Sequence, residues 1–100
     1  MKIRIEPGRP ALGTQHRAYV DAAIRRALHP MDREVESIDV HVDVDAGACT
    51  IIAKPVSARA VERARRRGTW VEALEDAANA LAVALHSGVD EREDWTRTAA

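Results

Sequence analysis

Residues 38 to 45 alternate without a break: Ile38, Val40, Val42 and Val44 against Asp39, His41, Asp43 and Asp45. Successive side chains of a strand point to opposite faces. A period of two over four cycles therefore predicts a strand with one buried face and one acidic, wet face. That strand requires a sheet, and the apolar face of the sheet requires a covering layer.

The flanking sequence supplies both. Ile3 and Ile5 alternate with Lys2 and Arg4, a second half-buried strand. It ends at Pro7-Gly8-Arg9-Pro10, where ladder donors are lost and a turn is favoured. Thr14 reads as an N-cap, and from residue 15 to residue 28 the period becomes helical, with Val20, Ala23, Ile24, Ala27 and Leu28 as the apolar stripe. His29-Pro30 stops that helix, because a residue before proline avoids the α region. A polar turn over residues 31 to 36 leads into the alternating strand. Asp45-Ala46-Gly47 reads as a hairpin turn, and residues 48 to 53 form a third strand ending at Lys54-Pro55.

Residues 57 to 67 are ambiguous. Ala58, Ala60, Glu62 and Ala64 alternate with Arg59, Val61, Arg63 and Arg65, which permits a strand, yet Ala, Arg and Glu are strong helix formers. Gly68 closes the segment in either case. Thr69-Trp70-Val71-Glu72 has capping-box spacing. The helix it opens runs to about residue 86, with Trp70, Leu74, Ala77, Ala78, Leu81 and Leu85 as its stripe and Gly88 as its C′ residue. Charged, aperiodic residues 88 to 100 read as a mobile tail carrying Trp95.

One hundred residues hold one domain, expected over residues 1 to 87. The order is β-α-β-β, a segment open between strand and helix, then α: an α+β fold with two helices on one face of a sheet. The chain has no Phe and only three aromatic residues, so its core is built of small side chains. Fifteen Lys and Arg against sixteen Asp and Glu give a net charge of -1, unlike a generic nucleic-acid binder. The charge is segregated, however: Arg59, Arg63, Arg65, Arg66 and Arg67 crowd one segment, and Asp90, Glu91, Glu93 and Asp94 another. One cysteine, Cys49, excludes an internal disulfide and a multi-thiolate metal site. No signal-peptide core and no membrane-length apolar run is present, so a cytoplasmic protein without a membrane partner is expected.

Several of these segments resemble the ribosome hibernation-promoting factors and ribosome-associated inhibitors, also called the sigma-54 modulation group. Met1-Lys2-Ile3-Arg4-Ile5, a turn and Thr14 look like that family's first strand and helix start. Arg17-Ala18-Tyr19-Val20 is similar to its LR-x-(Y/F)-V segment, and residues 35 to 45 to its I-x-x-V-x-V-x-V strand. Thr69-Trp70-Val71-Glu72-Ala73-Leu74-Glu75 with Leu81 and Leu85 resembles its second helix, with Trp70 at a usual Met and Val71 at a usual aromatic. The resemblance spans roughly residues 1 to 87. It implies a β-α-β-β-β-α fold, a four-stranded sheet, and hence a strand over residues 57 to 67, paired to residues 48 to 54. It also implies a short-form translation inhibitor of resting cells that docks on the small ribosomal subunit through basic contacts to 16S rRNA.

Under that reading Lys54, Arg63, Arg65, Arg66 and Arg67 hold phosphates, assisted by Arg25 and Arg26, since guanidinium forks match phosphate oxygens. The competing reading of the arginine run is a solvated strand edge that deters edge-to-edge pairing. Asp39, His41, Asp43 and Asp45 stand too far apart along one strand for first-shell metal geometry, so no metal is expected. Cys49 reads as a small strand residue rather than a nucleophile. No catalytic constellation, phosphate loop or cofactor motif is present, and an enzyme is not expected. The alternative function is a protein-interaction or homo-oligomerisation module with the same fold, using the acidic sheet face or the Trp95 tail and no RNA.

Overall fold

The computed structural model describes residues 1 to 6, 12 to 56 and 58 to 86. The turn expected at residues 7 to 10, the C′ role of Gly88 and the tail with Trp95 lie outside the described residues. The elements are β1 (Lys2–Glu6), α1 (Thr14–Leu28), a 3-10 turn (Met31–Glu34), β2 (Val35–Asp43), β3 (Ala48–Pro55), β4 (Val61–Arg66) and α2 (Trp70–His86). The fold is thus β-α-β-β-β-α. The four-stranded sheet has spatial order β1-β2-β3-β4, parallel between β1 and β2 and antiparallel elsewhere.

The register explains the core. Ile3, Ile38, Ala53 and Val61 form one cross-strand row, and Ile5, Val40, Ile51 and Arg63 the next. The third is Val42, Cys49 and Arg65. These rows face the helices. Val20, Ala23, Ile24 and Leu28 of α1 meet them, as do Ala73, Leu74, Ala77, Ala78 and Leu81 of α2, in one cluster. No polar or charged residue is buried among the described residues. The other sheet face is open to solvent.

Three local readings need correction. Thr14 is the first residue of α1, not its cap: Gly13 is the extended N-cap residue, its carbonyl accepting from the Arg17 amide at 2.9 Å, with no side-chain cap. β2 ends at Asp43, so Val44 and Asp45 belong to the turn although the apolar alternation runs on through them. The turn is closed by the Gly47 amide on the Val44 carbonyl and by the Ala46 amide on Asp43 Oδ1. Finally, β4 occupies only residues 61 to 66 of the segment, beginning where Val61 reaches the buried row. At the other end of β2, Val35 and Ile38 both face inward although three residues apart. A register shift between Val35 and Ser37 absorbs the extra residue.

The second cap forms with a variation. Thr69 Oγ1 accepts from the Glu72 amide at 3.2 Å, as the spacing predicts. The Glu72 carboxylate, however, accepts from the Thr69 hydroxyl at 3.1 Å rather than from its amide. No helix of the described residues is long and apolar enough to cross a membrane.

Candidate nucleic-acid interface

β4 is an edge strand, and its alternation divides the arginine run between two faces. Arg63 and Arg65 pair with the buried Ile51 and Cys49, so they stand on the helix-covered face, beside α2. Glu62, Ala64 and Arg66 stand on the open face. Arg67 follows the strand. Its amide donates inward to the Gly47 carbonyl at 2.9 Å. Neighbouring residues of an antiparallel edge point their backbone groups alternately in and out, so the carbonyls of Glu62, Ala64 and Arg66 point outward. Each is taken by the next residue's guanidinium: Arg63 Nη1 on Glu62 O at 2.7 Å, Arg65 Nη1 on Ala64 O at 2.8 Å, Arg67 Nη1 on Arg66 O at 2.8 Å. Three cationic side chains thereby cover a free sheet edge. That is a device against edge-to-edge pairing and, equally, a row of fixed positive charge.

α2 packs over β3 and β4 and completes the seam. Asp76 on its second turn places Oδ2 3.6 Å from Arg65 Nε and in ion-pair contact with Arg67 Nη2. Arg65 and Arg67 side chains remain 33% and 48% exposed, so neither is withdrawn from solvent. Sequence reasoning missed Asp76. The available signal was its position flanking the apolar stripe of α2, beside a strand rich in arginine.

The remaining candidates lie elsewhere. Lys54 is exposed near the end of β3 on the open face, in the row of Ser37 and Lys2. Arg66 shares that face. Arg25 and Arg26 are on α1, which packs against α2 rather than forming part of the seam; Arg25 Nε is bound to Asp21 Oδ1 at 2.6 Å. Arg26 flanks a shallow interhelical groove with Glu75 and Asn79. The seam therefore gathers Arg63, Arg65 and Arg67, and the other four basic residues are spread over two further surfaces.

The open face is a mosaic. Lys2, Arg4, Lys54 and Arg66 are offset by Glu6, Asp39, Asp43 and Glu62, with His41 exposed among them. Arg4 Nε lies 3.4 Å from Asp39 Oδ1, so the acidic strand is partly neutralised by its neighbour. Among the described residues, no three His, Cys, Asp or Glu side chains converge as metal ligands. Cys49 is buried in β3, and desolvation pushes its thiol up to about 12, which keeps it protonated and inert.

A second polar cluster ties α1 to α2. The Tyr19 hydroxyl donates to Glu75 Oε2 at 2.7 Å, and this bond to the carboxylate raises the phenol pKa. Half-exposed Trp70 makes T-shaped contacts with His16 and Tyr19, with ring centroids 5.6 and 6.4 Å away. Trp70 is thus a rim anchor of the helix pair. Nothing in its sequence position alone indicated these partners.

No protein-family model and no curated protein sequence matches this chain. Among solved structures the fold matches a ribosomal subunit interface protein from Coxiella burnetii, with a TM-score of 0.72. The match covers 87% of this chain and 96% of that one at 12% identity. At that identity the likeness is one of fold.

Proposed function

We propose that this chain docks on the small ribosomal subunit and inhibits translation in resting cells by occupancy, without chemistry. Arg63, Arg65, Arg66 and Arg67 hold 16S rRNA phosphates from the β4 edge. Lys54 contributes from the adjoining sheet face, and Arg25 and Arg26 from the helix layer. The observation that carries this reading is the seam of β4 and α2, where alternate arginines are held on backbone carbonyls along one sheet edge. A guanidinium already oriented loses less side-chain entropy on binding a phosphate. The shared fold with a protein of a ribosomal subunit interface supports it, as do the family-like motifs of β1, β2 and α2.

The test is co-sedimentation of the purified protein with ribosomes and isolated small subunits at low and moderate salt. Binding through phosphates depends on counterion release, with a slope of about 0.7 to 0.9 in log affinity against log salt per contact. Replacing Arg65, Arg66 and Arg67 together with Ala is expected to weaken binding and flatten that slope by about two units. The fold should survive, because partly exposed ion pairs such as those to Asp76 contribute at most about 1 kcal/mol each. A wild-type chain that fails to co-sediment even at low salt overturns this function and leaves only the fold.

A further inference from the structure

Asp76 occupies the middle of the arginine seam. Arg65 is held at two points, Nη1 on the Ala64 carbonyl and Nε 3.6 Å from Asp76 Oδ2. Arg67 is held in the same way, Nη1 on the Arg66 carbonyl and Nη2 against the same Oδ2. Among the described residues that oxygen is shielded from solvent and takes no hydrogen bond, and the two guanidiniums are the cations beside it, while the Asp76 side chain as a whole is 37% exposed. A carboxylate and a phosphate present the same kind of oxygen to the same donors. An incoming strand therefore meets Arg65 and Arg67 with one unit of their charge already answered by Asp76.

We infer that Asp76 is a built-in counter-ion of the seam that competes with phosphate and sets how strongly the β4 arginines bind a polyanion. The inference rests on the reading that the seam meets phosphate. The opposite effect, that Asp76 aids binding by orienting the arginines, is weakened by their other anchors: Nη1 of each is fixed on a backbone carbonyl that Asp76 does not supply.

The experiment uses the full chain and a single-stranded homopolymeric RNA, with affinity measured by fluorescence anisotropy across a salt series. Asp76→Asn keeps the shape and removes the charge. It should bind severalfold tighter at low salt, with a slope steeper by about 0.7, the value of one further neutralised phosphate on a single strand. Asp76→Glu retains the charge and should keep the wild-type slope. In a chain also carrying R65A and R67A, the gain from D76N should shrink, because the freed arginines are its source. Weaker binding by D76N, an unchanged slope, an equal gain in both backgrounds, or no RNA bound by any variant at the lowest salt overturns the inference. Failure of the ribosome reading is separable: there the wild type does not co-sediment with ribosomes, while the D76N gain on free RNA persists.

Discussion

Gly47 is held at φ 62°, in the left-handed region, and an added Cβ there would meet the Arg67 carbonyl oxygen at 2.5 Å. Two demands coincide at this residue. The turn from β2 to β3 needs a positive φ, and the end of β4 lies directly against it, joined by the Arg67 amide on the Gly47 carbonyl. An L side chain in that conformation costs roughly 1–2 kcal/mol, and here the contact is with backbone, which cannot rotate aside. Gly47→Ala should therefore lower stability by at least about 1 kcal/mol, read as a fall in the denaturant midpoint. It should also disturb Arg67 and with it the seam. A midpoint equal to that of wild type would show that the turn can adopt another conformation. Gly13 makes the contrast: its φ is -74° and, among the described residues, no atom beyond its chain neighbours lies within 4 Å of an added Cβ, so its backbone conformation does not demand glycine.

At the scale of elements, α2 shows how the fold is held. Its first turn is capped by Thr69, its inner face is Ala73, Leu74, Ala77, Ala78 and Leu81, and the alanines let the helix approach the sheet closely. Large side chains are therefore few. Leu81 is fully buried, and the small neighbours have little volume with which to fill a void. Leu81→Ala is expected to cost about 2–5 kcal/mol, whereas Asp43→Ala, which loses only the exposed bond from the Ala46 amide, should cost about 0.5–1.5 kcal/mol. Similar losses for the two in a urea titration would mean the stripe is wrongly placed. Both helices, β1 and β2 were legible because their apolar periods are strong. β4 was not legible from its own residues. Ala64 and the surrounding arginines favour a helix, and the segment is a strand because β3 offers a free edge whose residues Ala53, Ile51 and Cys49 fix the register. The alternation of Ala58 and Ala60 with Arg59 and Val61 permitted a strand, and the family-like pattern of the neighbouring elements favoured it. Thr14 and Val44 were misjudged by a residue or two because neither a cap nor an alternating pattern specifies where backbone hydrogen bonding begins or stops.

At the scale of the whole molecule, charge is distributed by face rather than by segment. The sequence places arginines 63 to 67 in one run, but the pleat of β4 sends Arg66 to the open mosaic and leaves Arg63 and Arg65 with Arg67 on the α2 seam. Which arginines lie together was legible only in part, because it depends on strand parity and on Asp76, a residue from another element. The same distribution separates the two functions the sequence left open. Asp39 and Asp43 lie on the open face, with Asp39 partly answered by Arg4 and Asp43 accepting from the Ala46 amide. If the chain meets rRNA through its arginines, these carboxylates repel phosphate, and a surface charge acts over about a Debye length, roughly 8 Å at physiological salt. Replacing both with Asn should therefore leave ribosome co-sedimentation unchanged at moderate salt and improve it at low salt, where screening is weaker. Folding should be little affected, since the Arg4 pair is exposed and Asn can still accept the Ala46 amide. A protein-interaction module docking through its acidic face predicts the reverse: binding is lost in the Asp39 and Asp43 variant and retained when Arg65, Arg66 and Arg67 are replaced.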